Sequence, residues 1–264
     1  MIKDIAYSKT IKSKNLPKQE IVFFPNSLYL VKSKTLIIGD LHLGFESSLT
    51  KEGIYVPNAN ITLVLKELKA IGNIIKRNKV SVKEFVIIGD IKHSFVELDK
   101  ITKSEIELFF KEIDSYIRPK HKILIKGNHD TFLTYTLRKL GVDVKDELEL
   151  GKILITHGHK SIETERAKVY IIGHEHPSVG IRSGSTFEQY KCFIFGTFYD
   201  KSNLIIMPSF TNVSVGSNIF KGQFLSPILI DLQKQNKDFI YNWDVLVYEQ
   251  NHFFLFKVKE LKEL

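Results

Sequence analysis

Metal-ligand residue types recur along this chain in five short clusters: Asp40-Leu41-His42, Gly89-Asp90, Gly127-Asn128-His129-Asp130, Thr156-His157-Gly158-His159 and Gly173-His174-Glu175-His176. Together they offer seven oxygen and nitrogen ligands and a spare histidine, enough for two divalent ions side by side. Carboxylate and amide oxygens mixed with imidazole suit Mn²⁺, Fe²⁺, Zn²⁺ and related ions. Two adjacent metals imply phosphate-ester hydrolysis, because they acidify bound water and neutralise phosphate oxygens. A histidine outside the metal shells could then protonate the leaving oxygen.

Such ligands need rigid elements that converge. Apolar runs precede most clusters: Thr35 to Ile38, Phe85 to Ile88, Ile123 to Ile125, Ile153 to Ile155 and Val169 to Ile172. Runs of this length and continuity fit strands covered on both faces. Ligands at the carboxyl ends of neighbouring strands can share one crevice. The glycines beside Asp40, Asp90, Asn128 and His174 permit tight turns and close backbone approach.

Apolar stripes at helical spacing lie between the strands. One runs through Ile61, Leu65, Leu68, Ile71 and Ile75, and a second through Ile106, Phe109, Phe110, Ile113 and Ile117 with Ser104 as its expected cap. A short third helix is expected over Thr131 to Leu140, stopped by Gly141. Beyond Ser178 the pattern reads as strands separated by Gly-Ser turns: Tyr190 to Phe195, Leu204 to Met207, Pro227 to Ile230, Val245 to Tyr248 and Phe253 to Val258. Strand–helix alternation followed by mostly strand predicts an α/β protein, an α-β-β-α sandwich in one domain over residues 21–264. Residues 1–20 read as a flexible tail, with Ile5 to Ile11 as an alternative edge strand.

The 264 residues are 43% hydrophobic and 26% charged, enough apolar content for a large core. No run approaches a membrane span, and the lysine-rich start is not a secretory signal, so a cytoplasmic protein without membrane contact is expected. Cys192 is the single cysteine, which excludes an internal disulfide and a thiolate metal site. The net charge of +8 favours a polyanionic partner.

In order and type the clusters resemble the calcineurin-like metallophosphoesterase superfamily, whose pattern is D-x-H, G-D, G-N-H-D/E, H, G-H-x-H. The resemblance implies the four-layer sandwich of that family. It also implies one metal on Asp40, His42 and His176, a second on Asn128, His157 and His174, and Asp90 as the bridge. It makes His129 the catalytic histidine outside the metal shells, with Asp130 orienting it, and a metal-bridging hydroxide the nucleophile. Where many relatives carry a second Asp after the G-D, this chain has Gly89-Asp90-Ile91-Lys92-His93-Ser94. That stretch, with Asp40-Leu41-His42-Leu43-Gly44-x-Glu46, Leu49, Gly53 and Pro57, resembles the ligase-associated DNA-repair phosphoesterases of bacteria and their archaeal counterparts. This subgroup implies a Mn²⁺-dependent phosphodiesterase or nuclease acting on DNA or RNA, in association with DNA-repair proteins. Fe²⁺, Zn²⁺, Ni²⁺ and Co²⁺ are the alternative metals.

Several side chains have two readings. Glu46 either bonds a metal-held histidine or starts a helix. Lys92 and His93 either line the site or belong to a salt-bridged loop. His159 either touches substrate phosphate or packs in its loop. Tyr190, Phe195, Tyr199, Phe210 and Phe220 either stack bases or fill the core. The rival functions are a small-molecule phosphatase, a cyclic-nucleotide phosphodiesterase, and a non-catalytic metal-binding scaffold of the kind the fold serves in a retromer subunit.

Overall fold

The structure is a computed structural model that describes residues 21–262, apart from 97, 184–185, 200–201, 212, 214–215 and 250–251. The tail expected over residues 1–20 lies outside the described residues. In chain order the elements are β1 (Ile21–Phe24), β2 (Ser27–Leu30), β3 (Thr35–Ile38), α1 (Phe45–Lys51), α2 (Asn60–Arg77), β4 (Glu84–Ile88), α3 (Lys100–Tyr116), β5 (His121–Ile125), α4 (Thr134–Lys139), β6 (Val142–Lys145), β7 (Glu147–Leu150), β8 (Ile153–Thr156) and β9 (Val169–Ile172). They continue with β10 (Pro177–Ser183), β11 (Thr186–Phe198), β12 (Ser202–Ile206), β13 (Ser217–Asn218), a 3-10 turn at Ile219–Lys221, α5 (Pro227–Gln235), β14 (Asp244–Glu249), β15 (His252–Lys257) and α6 (Val258–Lys262).

Two sheets result. One runs β1-β2-β3-β4-β5-β6, and the other runs β13-β10-β11-β12-β9-β8-β7 with β14 and β15 attached through β11. Their inner faces pack on each other through side chains such as Ile37, Val86, Ile125, Ile155, Ile171, Phe195 and Ile205. The outer face of the first sheet is covered by α2 and α3 through Leu68, Ile71, Phe109 and Ile113. The outer face of the second is covered by α5 and α6 through Leu229, Leu232, Val258 and Leu261. This is the expected four-layer α-β-β-α sandwich. Its central strands are buried on both faces, which is why they read as unbroken apolar runs.

Parallel register aligns the strand ends that matter. Ile38 sits opposite Ile87, Ile88 opposite Ile125, and Thr156 opposite Ile172. The five ligand clusters therefore leave the two sheets at one shared edge. Among the described residues no helix is long and apolar enough to cross a membrane.

Three expected elements differ. Pro227 to Ile230 begins helix α5, not a strand; Pro227 occupies the first helical turn, where its missing N–H costs nothing. The apolar run Ile228-Leu229 is shared by both kinds of element, and only Leu232 one turn on separates them. The helix expected over Thr131 to Leu140 is confined to α4, because 131–132 form a turn. The cap of α3 is Asp99, not Ser104: Asp99 Oδ1 accepts from Thr102 N at 2.8 Å, while Ser104 lies within the helix and donates to Lys100 O.

Asp99 also accepts from Ser47 Oγ and Lys51 Nζ, which ties α1 to α3. Burial opposes its ionisation, but the bonds from Lys51, Thr102 and Ser47 prevail and hold its pKa at about 2. Asp99→Ala is expected to lower stability by about 1 kcal/mol, read as a lower urea midpoint with unchanged slope, and Ser104→Ala by less than about 0.5 kcal/mol. Because the folded pKa is depressed, the Asp99 contribution is present above the unfolded value of about 3.9 and is lost as pH falls through about 2. The wild-type and Asp99→Ala midpoints should therefore converge in that window.

Candidate metal centre

Three sets of ligand atoms come together at the shared strand edge: Asp40, His42 and His176; His42, Asp90 and His129; and Asp90, His157 and His174, with the atoms of each set within 4.8 Å of one another. Asp90 belongs to two of the sets. Asp40 Oδ1 is 2.8 Å from His157 Nε2, and its Oδ2 accepts from His174 N at 3.2 Å and lies 3.3 Å from His176 Nε2. Asp90 Oδ1 accepts from His129 N at 2.9 Å, whereas Oδ2 has only more distant neighbours, His157 Nε2 at 3.5 Å and His129 Nε2 at 3.7 Å.

Tight turns bring these side chains together, and the ligands themselves carry strained backbone. His42, Asp90, His174 and His176 have φ of 47°, 43°, 64° and 46°, the left-handed region that L-residues adopt at a cost of about 1–3 kcal/mol each. Two glycines supply space. A Cβ at Gly127 would meet Asp90 Oδ1 at 2.1 Å, and one at Gly89, whose φ is 76°, would meet the His157 ring at 2.0 Å. The strained turns are pinned by backbone bonds between clusters: His42 N donates to Asp90 O at 2.8 Å, Gly173 N to His157 O at 3.1 Å, and Phe210 N to Asp40 O at 2.9 Å.

The donor chemistry fits divalent cations. Asn128 Oδ1, His42 Nδ1 and His176 Nε2 are buried with no hydrogen-bond partner. Lone pairs left unpaired in a buried site cost free energy that a cation would recover. Burial, and then the His176 ring, push His42 well below the usual imidazole range, and burial brings His174 down to about 4. Burial also pushes Asp90 up to about 7, with His157 opposing and Asp40 reinforcing the rise. In Asp40, burial is outweighed by His176 and His157, which hold the carboxylate well below its ordinary range. Burial thus favours neutral His42 and His174, whereas Asp40 and Asp90 raise His157 against its burial, and a bound cation would supply the positive charge in its place.

His129 is held differently from the expectation. Asp130 is buried and does not contact the His129 ring; its Oδ1 accepts from Ile91 N at 2.9 Å and its Oδ2 from Gly127 N at 2.8 Å. The carboxylate fixes the two ligand-bearing turns to each other. The group that orients His129 is the carbonyl of His93, which accepts from Nδ1 and leaves Nε2 as the bare nitrogen of the neutral ring. Burial brings His129 down to about 4, against the raising effect of that carbonyl. Phe95 stacks on the imidazole with ring centroids 3.6 Å apart.

The residues with two readings resolve as follows. Glu46 bonds no histidine; its Oε1 accepts from Ala59 N and Asn60 N at the start of α2. Lys92 is fully buried and donates to Ser94 O and Thr131 Oγ1, joining the loop after β4 to the loop after β5 by hydrogen bonds instead of ion pairs. The His93 ring lies 5.5 Å from His42 and 5.8 Å from His129, inside the site. His159 packs on His157, with Nδ1 atoms 2.9 Å apart. Phe195 and Phe210 are buried, and Tyr190, Tyr199 and Phe220 pack against the outer core of the second sheet.

Two supports went unread in the sequence. Buried Asn60 donates to Leu41 O and His42 O, and accepts from Thr211 Oγ1 at 2.7 Å, so it clamps the first ligand turn. Glu175, between His174 and His176, accepts from Leu225 N and Ser226 N at 2.9 Å, and Ser226 Oγ donates to Gly158 O at 2.7 Å. The start of α5 thus holds both histidine loops of the second sheet. Glu175 was in plain view within its motif, but its partners lie 50 residues on and carry no pattern.

The family model for calcineurin-like phosphoesterases matches residues 33–178, which contain all five clusters. No curated protein matches the chain. Among solved structures, a Pseudomonas putida nuclease named MPE is similar over 88% of this chain and 92% of its own, with 17% identity and a TM-score of 0.58. A protein of unknown function from Aquifex aeolicus is similar over 54% of this chain and 78% of its own, with 21% identity and a TM-score of 0.34.

The Glu175 clamp makes a stability prediction. Glu175→Ala strips acceptors from two amides and is expected to cost about 1–3 kcal/mol in urea unfolding. Glu175→Gln keeps one carbonyl acceptor and should cost less. Equal losses in the two variants would contradict the clamp.

Proposed function

This chain belongs to the calcineurin-like phosphoesterase family and is a metal-dependent phosphoesterase, and we propose that it hydrolyses phosphodiester bonds of nucleic acid. The observation that carries the reading is the position of Asp90, which groups with His42 and His129 on one side and with His157 and His174 on the other, at one edge of the sandwich. We assign Asp40, His42 and His176 to one divalent cation, Asn128, His157 and His174 to the other, and Asp90 to both, with Mn²⁺ as the favoured ion. When bound, such a pair neutralises phosphate oxygens and makes water a nucleophile at neutral pH.

The chain's own residues complete the reaction. Water oxygen joins phosphorus, the ester P–O bond breaks, and the leaving oxygen takes a proton, giving a phosphomonoester and an alcohol. His129 Nε2, bare while Nδ1 is committed to His93 O, takes the proton that the attacking water gives up and passes it to the leaving oxygen. Asp90 receives the His129 amide and so sets the histidine's distance from the ligand sets. Asp130 acts on both turns at once without touching the reacting atoms. For nucleic acid as the substrate, support comes from the net charge of +8 and from the nuclease that shares the fold over most of both chains.

Asp90→Asn is expected to weaken both metal sites together, seen as loss of both equivalents in metal analysis; loss of one alone would contradict the shared assignment. His129→Ala should keep both metals and slow turnover by roughly 10²-fold or more. Bis-(p-nitrophenyl) phosphate should be a better substrate than p-nitrophenyl phosphate. The reverse order would favour a monophosphatase.

A further inference from the structure

The aromatic side chains that could either stack bases or fill the core are buried in it or packed against it, yet others stand exposed beside His129. Six aromatic side chains are exposed among the described residues. Three of these, Phe95 at 54%, Phe132 at 77% and Tyr135 at 71%, lie in the two loops that flank His129 or in the helical turn after them. Phe95 lies flat on the His129 imidazole, its plane inclined by 29°. The Phe95 loop and the Phe132 loop are joined, because Thr131 Oγ1 donates to Phe95 O and Lys92 Nζ reaches both Ser94 O and Thr131 Oγ1.

Phe132 is unusual on two counts. Its φ is 61°, a left-handed conformation that is an outlier for a bulky side chain. The ring so placed covers no core, and most of it faces water. Strained backbone conformations cluster at functional sites, and contiguous exposed apolar surface marks binding surfaces. One helical turn on, Lys139 Nζ lies 4.3 Å over the Tyr135 ring.

We propose that Phe95 and Phe132 form a stacking platform for unpaired bases flanking the phosphodiester, so that the enzyme prefers single-stranded nucleic acid. This rests on the nucleic-acid reading above. Bases in a duplex are already stacked on their neighbours, whereas an unpaired base presents a free π-face. Stacking on an aromatic side chain tolerates every base, so the platform selects strandedness and not sequence.

The test uses a short single-stranded oligonucleotide with one cleavable phosphodiester, and a matched oligonucleotide lacking the bases on either side of that bond. For the Mn²⁺-loaded wild type, removal of the bases should lower kcat/KM by about 5- to 100-fold. In the Phe95→Ala, Phe132→Ala double variant the ratio between the two substrates should fall towards one. Because each ratio is internal to one protein, a general loss of activity does not mimic the result. Cleavage of both substrates at equal rates by the wild type, or an unchanged ratio in the variant, would overturn the platform alone. Failure to cleave any oligonucleotide, with bis-(p-nitrophenyl) phosphate still hydrolysed, would overturn the nucleic-acid reading and the platform with it.

Discussion

Three carboxylates, Asp40, Asp90 and Asp130, are buried within one cluster, and the way each is satisfied organises the rest of the molecule. Buried negative charge is tolerated only when paired or hydrogen-bonded. Asp130 is met by two backbone amides, and Asp40 by His157 and the His174 amide. Asp90 has one amide on Oδ1 and only distant neighbours on Oδ2. It is the least satisfied of the three and also the carboxylate common to two ligand sets. Burial already pushes it up to about 7, so an adjacent cation is what would keep it ionised at neutral pH.

Holding such a cluster requires a rigid frame, because four of its residues sit in left-handed backbone. The frame is built in two halves. In the first sheet, Asn60 and Glu46 connect the turn after β3 to the start of α2, and Glu105 reinforces it by accepting from Gly44 N at 2.8 Å. In the second, Glu175 and Ser226 connect the histidine loops to the start of α5. Both halves use helix starts, whose free amides suit a carboxylate. The bonds from Phe210 and Thr211 to Asp40 O, and from Thr211 to Asn60, close the gap between the halves.

The sandwich and the meeting of the five clusters at one edge were legible in the sequence because each cluster follows a strand whose apolar run is continuous. The supports were not, because their partners are distant: Glu46 with Asn60, Asn60 with Thr211, and Glu175 with Ser226. Adjacency misled in one place. Asp130 follows His129 and was expected to orient it, yet neighbouring side chains on a turn diverge, and a carbonyl from another loop does that work. Helix α5 was obscured because its opening residues, Pro-Ile-Leu-Ile, have the composition of a strand. Exposure of single aromatics could not be read either, since Phe132 and Phe210 look alike until the fold buries one of them.

The proposed sharing of the Asp90 carboxylate by two cations in a single centre is open to direct measurement. The direct measurement is the electron paramagnetic resonance spectrum of the protein loaded with Mn²⁺, taken together with the metal content per chain. Two Mn²⁺ per chain and the multiline spectrum of a spin-coupled pair are expected, as for ions about 3.5–4 Å apart. A single Mn²⁺ per chain, or two that show only the six-line signal of isolated ions, would contradict it.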